Sequence, residues 1–85
     1  MTYALNDVPQ PIKTVFSRVL RVPPDQITLE SNSKTTPNWD SLRHVELVVE
    51  IEEVYKTSFS AVEVFALTSV RGFCDMLVKK KIDLS

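Results

Sequence analysis

Apolar residues at helical spacing, with no stretch of strand-like alternation to compete, constrain this chain more than any other feature. Ile12, Val15, Phe16, Val19 and Leu20 recur at i, i+3, i+4, i+7 and i+8, which marks an amphipathic helix. Pro11 suits its first turn, and Pro23-Pro24 stop it because the residue before a proline avoids the helical region. A second helix runs from about Ser41 to Tyr55, until Lys56-Thr57-Ser58 breaks the pattern. Ser60-Ala61-Val62-Glu63 has capping-box form and opens a short helix through about Ala66. Thr68 or Ser69 can cap a last helix carrying Val70, Phe73, Cys74 and Leu77, with the cations of Lys79-Lys80-Lys81 suited to its C-terminal dipole. Gly72 inside that helix costs roughly 1 kcal/mol against alanine. The fold expected is all-α: a small four-helix bundle, three helices longer and one short, with a long loop over residues 22–38 between the first two. Ile27 and Leu29 are the residues expected to pin that loop. At 85 residues the chain is expected to be one domain, with its core over about residues 11–80 and a loose lead-in over residues 1–9.

Composition narrows the function. One cysteine allows neither an internal disulfide nor a cysteine-based metal cage, and Cys74 falls in an apolar helical segment where a buried thiol is expected. A net charge of −1 lacks the basic surplus of a nucleic-acid binder. No apolar run approaches the ~20 residues that span a bilayer, and the N-terminus has no signal-peptide pattern, so a monomer in the reducing cytosol is expected. The charges are unevenly placed. Asp40, Glu46, Glu50, Glu52 and Glu53 face only Arg43 within the second helix and its lead-in, and such an acidic face steers basic partners.

The second helix has two apolar faces. With Leu42 at zero and about 100° per residue, Leu47, Val48, Ile51, Val54 and Tyr55 fall between about 120° and 240°, the core face. Leu42, Val45 and Val49 fall nearly opposite, with Glu46 and Glu53 close to one side. A bundle helix needs one apolar face. The second is either covered by another helix or the loop, or scattered surface, or a docking strip of apolar anchors with a carboxylate rim: Leu42, Val45, Glu46, Val49 and Glu53.

Ser41 stands at the head of this strip. A serine there can simply be a cap, but Asp40 is available for that role, and neither residue has Glu or Gln three positions on to form a capping box. The Ser41 hydroxyl is then free, and any phosphate attached to it would lie at a helix N-terminus. Catalysis is hard to assemble. His44 is the one histidine, placed near 200° on the core-facing side; no glycine-rich loop exists, and no metal-ligand spacing is present. Trp39 is expected to anchor the loop against the bundle.

Asp40-Ser41-Leu42 at the head of this helix, followed by Val45-Glu46-Leu47-Val48 and Ile51-Glu52-Glu53, resembles the acyl carrier protein family and its peptidyl carrier relatives. Thr68-Ser69-Val70 resembles the family's lead into its last helix, and the likeness covers roughly residues 11–80. The resemblance implies 4′-phosphopantetheine from coenzyme A on Ser41, flanked by Asp40 and Leu42, attached by a phosphopantetheinyl transferase. It implies acyl or aminoacyl thioesters on that arm, presented to acyl-loading, condensing or acyltransferase enzymes that dock on Leu42, Val45, Glu46, Val49 and Glu53. The carrier itself catalyses nothing. Arg43 stands where fatty-acid carriers often have an acid, His44 is unusual, and Glu63 is the one acid of the short helix. These departures look more like polyketide or nonribosomal-peptide biosynthesis than fatty-acid synthesis. The alternatives are a fatty-acid carrier, a helical adaptor without a prosthetic group, and a small enzyme built on Ser41 and His44.

Overall fold

Each helix begins where local chemistry dictates. The computed structural model describes residues 8–82, so most of the expected lead-in lies outside the described residues. Helix α1 spans Gln10–Leu20, α2 Ser41–Tyr55, α3 Ala61–Ala66 and α4 Val70–Lys79. This is the four-helix architecture expected, with one 3-10 turn at Pro24–Gln26 inside the long loop. Among the described residues the one element of β pairing is an isolated bridge between Asn32 and Ser69. No helix among them is long and apolar enough to cross a membrane.

The caps explain the boundaries. Asp40 accepts the Arg43 amide at the start of α2, and Ser69 accepts the Gly72 amide at the start of α4. At α3, Ser60 and Glu63 form both halves of a capping box. The C-terminal ends are less conventional. Helix α1 stops because Arg21 turns left-handed (φ 58°), two residues before the prolines, and α2 stops at Lys56 in the same conformation (φ 54°). Glycine usually occupies such positions. The chain's one glycine is used at α4 instead, where a Cβ on Gly72 would come within 3.2 Å of the Ser69 cap hydroxyl. The part-buried carbonyls at the end of α1 are satisfied from afar: Arg43 Nη1 donates to Val19 O and Asn38 Nδ2 to Leu20 O, both at 2.7 Å.

The core is the union of the expected apolar faces. Ile12, Val15, Phe16, Val19 and Leu20 of α1 meet Leu47, Val48 and Ile51 of α2 and Val70, Phe73, Cys74 and Leu77 of α4. Phe16 lies edge-on to Phe73 (5.2 Å between centroids) and to Trp39 (5.3 Å), an arrangement aromatic pairs favour. Trp39 therefore does anchor the loop. Ile27 and Leu29 are buried as expected. Backbone bonds from Ser33 N to Thr68 O, Val70 N to Ser31 O and Arg71 N to Leu29 O tie the same loop to the head of α4. Val54 is a correction. It is 44% exposed, because its position at about 120° lies on the edge of the core-facing arc and the neighbouring helices do not reach it.

Candidate functional site

The chain enters α2 through a tight, pinned turn. Asn38 is left-handed (φ 68°), its side chain is tied to Leu20 O, and the Asp40 amide donates back to Asn38 O at 3.0 Å. Trp39 drops into the core, and this throws Asp40 and Ser41 outward. The Asp40 carboxylate accepts the Arg43 amide at 2.9 Å, and its carbonyl accepts the His44 amide at 2.9 Å. Asp40 is thus the cap, and Ser41 begins the helix as an exposed residue whose hydroxyl is not spent on capping. The amides of Ser41 and Leu42 precede the first intrahelical bond, as in any first turn.

A groove of about 570 Å³ runs beside Ser41, lined by Trp39, His44 and Val45 from the α2 side and by Val64, Phe65 and Leu67 from the α3 side. The apolar strip continues from it along the surface: Leu42 is 70% exposed, Val45 55% and Val49 48%, with Phe65 of α3 at 84%. No other part of the described structure covers this face of α2, so the reading in which a helix or the loop buries it does not hold.

The acids of α2 are less uniform than their spacing suggests. Glu50 pairs with Arg18 at 2.6 Å, and Glu46 lies 3.8 Å from Arg43 Nε. Glu52 accepts the Phe59 amide at 2.7 Å and so supports the entry to α3, a role that sequence spacing does not reveal. Glu53 is the acid of α2 that keeps no partner among the described residues. On α3, Glu63 is held below the usual carboxylate range by the Ser60 amide and by Lys80, whose ammonium lies 2.9 Å away. The net field of the strip is milder than five carboxylates imply.

His44 lies at the head of α2, half-buried on the core-facing side as its angle indicates. Its Nδ1 accepts from Trp39 Nε1 at 3.0 Å, and its Nε2 meets Val64 O at 2.9 Å. With both ring nitrogens engaged, His44 is not placed to deprotonate Ser41. Cys74 is equally unsuited to chemistry: it is fully buried, and burial, with Asp75 nearby, pushes its thiol up to about 12.

Ser41 is thus an exposed serine at a helix head, beside an open groove, with Asp40 as the cap. The family model for the phosphopantetheine attachment site matches residues 10–77. The chain belongs to this family of acyl and peptidyl carrier proteins. No curated protein matches the chain. The family attaches 4′-phosphopantetheine covalently to a serine, and this carrier's residues fit that group. It offers an outward hydroxyl, helix-head amides that favour an anion, and an apolar groove alongside.

Proposed function

We propose that Ser41 is the serine that carries 4′-phosphopantetheine, delivered from coenzyme A by a phosphopantetheinyl transferase. The observation that carries this reading is the division of labour at the head of α2, where Asp40 caps the helix and Ser41 stays exposed beside the groove. The other serines within the matched span fit less well. Ser17 donates to Val22 O, Ser31 serves the loop, and Ser60 and Ser69 are caps. Ser33 heads no helix, and Ser58 lies in the α2–α3 connection away from the groove. When bound, the group supplies a terminal thiol for acyl or aminoacyl thioesters. The chain's own contribution is to hold the attachment point outward, to complement a phosphodiester with the helix-head amides, and to offer partners a recognisable surface.

Leu42, Val45 and Val49, with Glu46 and Glu53 at the rim, form that docking surface in this reading, with Asp40 and Leu42 framing the attachment point. Their exposure supports it, since apolar anchors on a helix are available to a partner only when no other element covers them. The partners are the transferase and the acyl-loading, condensing or acyltransferase enzymes that fill and empty the arm. The carrier acts as their cosubstrate, a monomer in the cytoplasm. Among pathways we favour polyketide or nonribosomal-peptide type biosynthesis over fatty-acid synthesis. Arg43 beside the attachment point and the pairing of Glu46 and Glu50 make a less acidic docking helix.

Intact mass decides the central claim. Incubation with coenzyme A and a broad-specificity phosphopantetheinyl transferase should add one phosphopantetheine to the protein and none to Ser41→Ala. An unchanged mass would overturn the assignment and leave the adaptor reading, and a gain that survives the substitution would move the attachment to another residue. Mass spectrometry of the Ser41 peptide from the native host identifies the cargo.

A further inference from the structure

Among the described residues, His44 hydrogen-bonds across the groove beside Ser41, to Trp39 on one wall and Val64 on the other. Its partners fix its protonation state by elimination. An indole N–H can only donate, so His44 Nδ1, 3.0 Å from Trp39 Nε1, must be the bare acceptor nitrogen. A carbonyl can only accept, so His44 Nε2, 2.9 Å from Val64 O, must carry the proton. The geometry therefore admits one species, the neutral ring protonated on Nε2. A second proton on Nδ1 would set two donors against each other at the Trp39 contact.

The two ends of this bridge matter unequally. Trp39 is locked in the core by Phe16, at 5.3 Å between centroids, and lies nearly parallel to the imidazole. Val64 sits in α3, a six-residue helix with no fully buried side chain, so α3 is the element free to yield. Val64 and Phe65 form the groove wall opposite Ser41 and Val45. We propose that His44 is a positioning residue for the attachment site: the neutral ring ties α3 to α2 and sets the width of the groove, and protonation releases the α3 wall. This deepens the reading of Ser41 as the attachment point and rests on it for its functional meaning.

The charged groups around the ring are already committed. On its own helix, Asp40 caps α2 and Arg43 caps α1; on α3, Glu63 is paired with Lys80. Helix α4 meets the ring with Phe73, at 6.0 Å between centroids, and the loop meets it with Trp39. Among the described residues, none of these charged groups hydrogen-bonds to the ring.

Nuclear magnetic resonance of the unmodified protein from pH 8 to pH 5 tests the tie directly. As the His44 ring signals titrate, the Trp39 indole N–H and the amides of residues 64–67 should shift along the same curve. Amide exchange in α3, corrected for its intrinsic pH dependence, should rise roughly three- to tenfold, the range produced by one net hydrogen bond. His44→Gln, which can accept and donate without titrating, should remove the step while keeping the fold. Trp39→Phe removes the opposing donor and should abolish the α3 step. The rate of transferase modification of wild type relative to His44→Gln should fall by a similar factor from pH 8 towards pH 5.

An indole N–H and α3 that ignore His44 titration, or a step that persists in His44→Gln, would overturn the proposal. A rate ratio that stays flat would overturn its bearing on the attachment site. Failure of Ser41 modification at every pH would overturn the carrier reading instead, and would leave the titration result standing.

Discussion

At the scale of single residues, this chain separates roles that a motif compresses. In Asp40-Ser41-Leu42 the aspartate closes the helix, the serine offers a hydroxyl, and the leucine starts the exposed strip. Asp40→Ala should therefore lower stability by about 1 kcal/mol, the usual worth of an N-cap, in a denaturant titration. Ser41→Ala should leave stability within about 0.5 kcal/mol of wild type, as exposed substitutions do. Equal losses from both would mean that the serine shares the capping. Cys74 is inert for a reason legible in its surroundings, since burial disfavours the thiolate that would react. Iodoacetamide at pH 8 should leave the native unmodified protein unlabelled and label it in denaturant. After modification at Ser41, one native thiol should appear. Labelling of native Cys74 before modification would show that α4 opens readily. The serine, its aspartate and the buried cysteine were all readable from spacing. The bonds of His44 to Trp39 and to Val64 O were not, because the Val64 partner lies twenty residues away and the tautomer follows from geometry alone.

At the scale of elements, the second apolar stripe of α2 is where helical arithmetic proved most informative. The angles separated Leu42, Val45 and Val49 from the core face, and the structure leaves all three exposed. Val49→Asp should then leave the melting temperature nearly unchanged, because no buried charge is created, while transfer to a partner enzyme falls. A large loss of stability would place Val49 in a packed environment instead. Arg43 departs from the acid that the family often carries there, and tertiary structure supplies a reason: it satisfies the Val19 carbonyl at the end of α1. Arg43→Ala should cost about 1–3 kcal/mol through that unpaired carbonyl, and Arg43→Glu no less, as read by thermal or urea unfolding. Helix ends were the weakest part of the sequence reading. Arg21 and Lys56 take left-handed turns without glycine, and nothing local announces it.

At the scale of the whole molecule, pH dependence reports how the bundle is packed. The thiol of Cys74 rises from its ordinary 9.0 to about 12 on folding, and burial also raises Tyr55. A raised folded pKa means stability present below pH 9 and lost as the pH climbs from about 9 towards 12. Cys74→Ala should flatten that alkaline slope in thermal unfolding while lowering stability near neutrality; an unchanged slope would assign it to Tyr55. Glu63 works in the opposite sense. Its pKa lies below the ordinary 4.5, so its contribution is present above that value and disappears as the pH falls through the lowered one. Sequence by itself determined the four helices, most of the core face, the caps at Asp40 and Ser60, the choice of Thr68 or Ser69 for α4, and the prominence of Ser41. Each is a matter of residues a few positions apart, which helical periodicity and capping chemistry govern. Only the tertiary structure decided that Val54 emerges from the core, that Glu46, Glu50 and Glu52 are engaged, and that Arg43 and Asn38 finish α1. It alone placed His44 across the groove. Those outcomes depend on groups distant in the chain, brought within reach by packing that no local pattern encodes.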